Sequence, residues 1–170
     1  KKYNGLLGAR GVKFHSTKEY FVAKEYGWKN PNEKVEVVDI VGHSWFFKRD
    51  LLSTFWREFP SSQISRVVGE DIHFSYTIQK YLNLKTYVPP HPANNLDLWG
   101  SLPKYANIIG SDPAAIFLNE KNKIQMNKAY KFYIKRGFKI NPTISDEIFG
   151  KIKKKLHTSK KKFKKIINKI

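Results

Sequence analysis

Gly69-Glu70-Asp71-Ile72-His73-Phe74-Ser75-Tyr76-Thr77-Ile78-Gln79-Lys80-Tyr81, followed by Lys85-Thr86-Tyr87-Val88, is the stretch whose reading decides the fold class. Phe74, Ile78, Tyr81 and Leu82 recur at helical spacing, which predicts a helix over 70–81 with Glu70 and Asp71 in its first turn. Residues 85–88 read as a short strand closed by Pro89-Pro90. Upstream, Glu36 to Phe47 is β-branched and aromatic, and predicts one bent strand or two. Strand, helix and strand in alternation imply an α/β domain.

Working outward, Leu6 to Val12 reads as a short buried strand ending in a turn that glycine permits. The polar stretch after it carries a turn at Lys29-Asn30-Pro31-Asn32. Lys48 to Glu58 has Leu51, Leu52, Phe55 and Trp56 at helical spacing and is stopped by Pro60. From Pro89 to about Asp112 the chain is irregular; Pro113 to Arg136 predicts one or two helices, and Asn141-Pro142 sets off a tail. No internal repeat is present.

A chain of 170 residues, 41% hydrophobic and 15% aromatic, can bury a core and is no disordered polymer. With no cysteine, disulfides and thiolate metal sites are excluded, which fits a reducing compartment. No apolar run approaches the ~20 residues of a membrane span, and no signal peptide is visible. The first residue is Lys1 rather than methionine, so the chain is expected to be a piece of something longer.

The net charge is +18, but ten lysines and no acid lie in 151–170, leaving +8 for the rest. In the tail, Phe149, Ile152, Leu156, Phe163, Ile166, Ile167 and Ile170 share one helical face among lysines. Such a helix suits an anionic membrane surface, at ~1 kcal/mol per basic residue near it; a solvated end or a docking helix is the plainer alternative. Nucleic acid is not the expected partner, since neither an RNP signature nor a zinc finger is present.

Four sets of residues carry possible chemistry. Glu70 and Asp71, about 100° apart around a helix, cannot share one proton face to face. The helix dipole should favour their ionised forms, so one can serve a site while the other holds backbone or a cation. Ordinary first-turn capping is the plainer reading of the spacing alone. His91, in Pro89-Pro90-His91-Pro92, is offered from a stiff loop and suits a metal ligand or a phosphate contact; an exposed loop histidine is the alternative. His43 and His73 read as structural. Trp45, Phe46, Phe47, Trp56 and Trp99 read first as core, with Trp99, beside Gly100, able instead to stack on a sugar ring or base. No HExxH, GxGxxG, P-loop or G-x-S-x-G motif occurs.

Taken together, Gly5-Leu6-Leu7-Gly8-Ala9-Arg10-Gly11, Val38-Asp39-Ile40-Val41-Gly42-His43-Ser44-Trp45-Phe46-Phe47, Gly69 to Ser75, and Tyr87-Val88-Pro89-Pro90-His91-Pro92 with Leu98-Trp99-Gly100-Ser101 resemble the acceptor-side half of a GT-A glycosyltransferase of the family 2-like kind. The resemblance covers about two-thirds of the chain. It implies a partial GT-A (Rossmann-like) α/β domain with a mixed sheet over 1–112, a helical extension over 113–142 and a basic amphipathic tail over 143–170.

It also implies transfer of a sugar from a nucleotide-sugar donor to a hydroxyl of a glycan, lipid or protein acceptor, with Mn²⁺ or Mg²⁺. The family's DxD metal motif is absent; the nearest match, Asn95-Leu96-Asp97, is misplaced, and the nucleotide-binding half is expected upstream. By resemblance Asp71 is the general base and Glu70 holds the acceptor or the adjoining loop. His91 is the metal or diphosphate ligand, Gly42, His43 and Ser44 border the acceptor cleft, and Trp45 and Trp99 stack. The expected location is the cytoplasm, with the inner membrane face as the surface the tail would reach. A non-catalytic module holding a polyanion or polysaccharide is the rival reading.

Overall fold

The computed structural model describes residues 3–20, 22–58, 68–99 and 119–141, together with 108, 148, 152, 154 and 155. Its spine is β1 (Gly5–Phe14), longer than the strand expected over 6–12. Along one edge β1 runs antiparallel to β4 (Ile40–Phe46), from Leu7 to Val12. Along the other it lies parallel to β5 (Lys85–Val88) over Gly5–Leu7, then antiparallel to β2 (Val22–Gly27) over Arg10–Phe14. β3 (Glu36–Val38) closes the far side by pairing antiparallel with β5. The result is an α/β fold with a mixed, curled sheet.

The stretch expected as one bent strand or two is two, and Asp39 is the joint. Its amide donates to Val12 O (2.9 Å), Oδ2 accepts from the Phe14 amide (2.8 Å) and Oδ1 from the Asn141 amide (2.9 Å). A buried carboxylate bonded to backbone on both oxygens holds three segments together, so Asp39 is a structural residue.

Helix α2 (Glu70–Leu82) matches the expected span, but not the expected one-sided burial. Every residue from Ile72 to Ile78 is buried. Phe74 and Ile78 pack with Leu6, Tyr26, Val38, Val41 and Val88 of the sheet. Ile72 and Tyr76 pack with Val12, Phe14 and Ile40 and with Ala129, Tyr130 and Tyr133 of α3 (Glu120–Lys135). Lying between sheet and helix, α2 has no solvent face from Ile72 to Ile78. It stops at Asn83, in the left-handed conformation (φ 51°), where the Leu84 amide donates to Ile78 O (3.3 Å).

The helix expected over 48–58 is shorter: a 3-10 turn at Arg49–Leu51 leads into α1 (Leu52–Phe55). The core reading of Trp56 and Phe46 is corrected as well, for their side chains are 60% and 65% exposed. Phe55 takes the inward place instead, against Phe74 (5.5 Å) and His73 (4.7 Å). The Pro60 stop, residues 113–118 and most of the tail lie outside the described residues. Of the tail, Ile152, Lys154 and Lys155 are exposed, and Lys154 pairs with Glu19. Among the described residues no helix is long and apolar enough to cross a membrane.

Candidate functional site: a cleft between strand β4 and the start of helix α2

Gly42, His43, Ser44, Trp45, Phe47, Glu70 and Asp71 line an open cleft of about 490 Å³. Two elements build it, and each does so through a local irregularity. The first is a bulge in β4. Arg10 of β1 pairs with Gly42 and Gly8 with Trp45, so the single residue Ala9 faces both His43 and Ser44. His43 takes the left-handed conformation there (φ 68°) that is usual for glycine at such a bulge. The extra residue re-aims the strand, which is how His43, Ser44 and Trp45 all come to line one cleft.

His43 is held by Trp28. The two rings lie 4.3 Å apart with 30° between their planes, and Trp28 is itself left-handed (φ 55°), with its amide donating to Ala9 O (3.0 Å). Two bulky residues in this sparsely populated region cost on the order of 1–3 kcal/mol each, so the surrounding structure must over-determine them. Burial, and after it the charge of Arg10, lower the His43 pKa, which keeps the imidazole neutral. Arg10 itself is committed: its guanidinium donates to both oxygens of Glu25 (3.0 and 3.1 Å) and lies over the Trp28 ring at 5.7 Å.

The second irregularity is the entry to α2. The N-cap is Gly69 (φ 103°), which has no side chain to offer the orphan amides. Asp71 supplies part of that need. Its Oδ1 accepts from the Ile72 amide (3.0 Å), while Oδ2 is turned toward Gly42, where an added Cβ would stand 3.5 Å away. One oxygen is anchored and the other faces the cleft, with glycine leaving the approach open. Capping and site-facing, posed as alternatives by the sequence, are divided between the two oxygens of one carboxylate.

The expected effect of the helix dipole does not prevail at Asp71. Burial, and then the charge of neighbouring Glu70, raise its pKa to about 6, against the weaker pull of the backbone hydrogen bonds and Arg10. Glu70 lies exposed at the cleft rim. The apolar wall is Trp45 and Phe47, packed on Phe74 of α2 at 5.5 and 4.9 Å.

Six of the candidate residues therefore meet in one place: Gly42, His43, Ser44, Trp45, Glu70 and Asp71. His91 and Trp99 do not line it. His91 is buried, its Nδ1 donates to Pro89 O (2.8 Å), and its backbone pairs with Asn32 in both directions (2.8 and 3.0 Å). Trp99 meets the imidazole edge-on at 5.4 Å and donates Nε1–H to Pro92 O (2.8 Å). The ring of Trp99 thus serves the Pro89–Pro92 loop.

With Nδ1 protonated, the His91 tautomer leaves Nε2 as a lone pair, the form a metal ligand requires. Among the described residues, however, no three histidine, aspartate or glutamate side chains come together as a metal shell, so His91 is not part of a three-ligand site there. His73 is structural, as expected: Nε2 donates to Phe55 O (2.8 Å), Nδ1 accepts from the Tyr133 hydroxyl (2.9 Å), and burial lowers its pKa.

Sequence reasoning missed Trp28 and Phe47 as parts of the site. The one signal for Trp28 is its place directly after Gly27 in a turn; Phe47 carries none that separates it from core. Comparison with known protein families, with curated proteins and with solved structures finds no match.

Proposed function

We propose that this chain is the acceptor-side part of a GT-A-type glycosyltransferase, moving a sugar from a nucleotide-sugar donor to a hydroxyl of a glycan, lipid or protein acceptor, with Asp71 as the general base. The observation that carries this reading is the placement of Asp71 Oδ2 in the cleft, on a carboxyl whose pKa is raised to about 6. A carboxylate tuned upward and still mostly ionised at neutral pH is suited to proton abstraction.

In the proposed step the acceptor oxygen bonds to the anomeric carbon of the donor while the bond to the nucleoside diphosphate breaks, and the hydroxyl proton passes to Oδ2. Oδ1, held by the Ile72 amide, fixes the carboxylate plane during the transfer. Glu70 accepts a second hydroxyl of the acceptor, and Trp45 with Phe47 takes its apolar face. His91 remains the candidate metal ligand; Mn²⁺ or Mg²⁺, if bound, would neutralise the leaving diphosphate. The rival polyanion module is disfavoured at this cleft, since two carboxylates stand where a polyanion would have to lie.

The test is transfer, measured in the protein that carries these residues against a panel of nucleotide sugars and hydroxyl acceptors. Asp71→Asn should lower the rate about 10²–10⁴-fold, the range for loss of a general base. Turnover by the variant near that of the parent would remove Asp71 from the chemistry. No transfer by the parent across the panel, with steeply salt-dependent polyanion binding, would favour the rival.

A further inference from the structure

The cleft and the chain have opposite electrostatic character. The protein carries +18 overall, yet the titratable groups lining the cleft are Glu70, Asp71 and the neutral His43. Arg10, a cation that acts on Asp71, is paired through Nε and one Nη with both oxygens of Glu25, which offsets much of its charge. Trp45 and Phe47 line the same cleft and pack on Phe74, one turn along the helix from the acids. Among the described residues, the charged groups of the lining are therefore carboxylates, and they stand beside flat apolar surface.

We infer that this cleft selects an acceptor ring that is uncharged or cationic, presenting hydroxyl or amino donors to Glu70 and Asp71 and a C–H face to Trp45 and Phe47, and that it rejects anionic sugars such as uronates. The inference rests on the reading of the cleft as an acceptor site. A pyranose can meet both kinds of lining at once, because its hydroxyls radiate from the ring edge while one face is apolar. A uronate brought to the same place sets its carboxylate against Glu70 and Asp71, and a partly desolvated like-charge contact is screened far less than one in bulk water. The donor's diphosphate is excluded for the same reason, so only the acceptor end of the reaction can occupy this space.

The experiment needs no donor. Three probes, a neutral methyl pyranoside, its uronate and its 2-amino analogue, are titrated into the full chain, with binding read from tryptophan fluorescence and ligand-observed NMR. The neutral and amino sugars should bind, and the uronate should bind about tenfold more weakly at low salt. Added salt and Glu70→Gln should each narrow that gap. Asp71→Asn, which keeps the shape of the side chain, is the second variant and should narrow it further. Uronate affinity equal to or above that of the neutral sugar overturns the inference, as does failure of all three to bind. If the binding order holds while no transfer is found with any donor, the selectivity stands and the transferase reading falls.

Discussion

At Asp71 a single side chain serves two purposes, and they have different consequences for stability. An acid whose folded pKa is about 6, above its ordinary 3.8, costs the fold stability wherever it is ionised. The cost is absent below pH 3.8, grows as pH rises and is complete above about 6. Asp71→Asn keeps an oxygen for the Ile72 amide and removes the buried charge, so its unfolding midpoint should lie above that of the parent at pH 7.5. The two midpoints should converge near pH 3.5. Calorimetry across that range decides it: a variant less stable at pH 7.5 would mean the carboxylate is there to hold the helix. Under the proposed function this cost is the usual trade of stability for activity.

Among the elements, β4 shows what a sequence reveals and what it withholds. The strand, its breadth and the following helix start are legible from β-branched and aromatic runs and from acids in a first turn. The bulge at His43–Ser44 is not, because it depends on the register against β1; a glycine at 42 inside a strand pattern is its only trace. That register leaves no room at Gly8, where a Cβ would fall 2.5 Å from Val41 Cβ. Gly8→Ala should destabilise by about 1–3 kcal/mol in denaturant unfolding, and an unchanged midpoint would show that β4 yields easily.

Strand β2 was hidden for a different reason. Lys24 and Glu25 break the apolar alternation, and their compatibility with a strand comes from partners distant in sequence, such as Arg10 for Glu25. Helix α2 was legible in extent but not in environment, since polar His73, Ser75 and Thr77 are buried between sheet and α3. Only the assembled layers reveal that.

Over the whole molecule, one further carboxylate ties the helices together. Glu58, just after α1, accepts from Lys80, Tyr76 and Tyr81 of α2 and from Arg136 beyond α3. Burial alone would raise its pKa, but the hydrogen bonds from Lys80 and Tyr81 outweigh that and bring it to about 2. A depressed acid contributes stability that is fully present above its ordinary 4.5 and lost as pH falls toward 2. Glu58→Gln should therefore lower the unfolding midpoint at pH 7 and flatten its decline between pH 4.5 and 2; a parallel decline would place acid sensitivity elsewhere. The same fold that protonates Glu58 with difficulty protonates Asp71 easily. The most direct measurement is the ¹³C titration of the Asp71 carboxyl, identified with Asp71→Asn, in the native chain and in the chain unfolded by urea. A midpoint near 6 in the native chain, dropping to about 4 on unfolding, is the predicted result. Equal midpoints near 4 in both states would contradict the account, because the cleft would then have made no base.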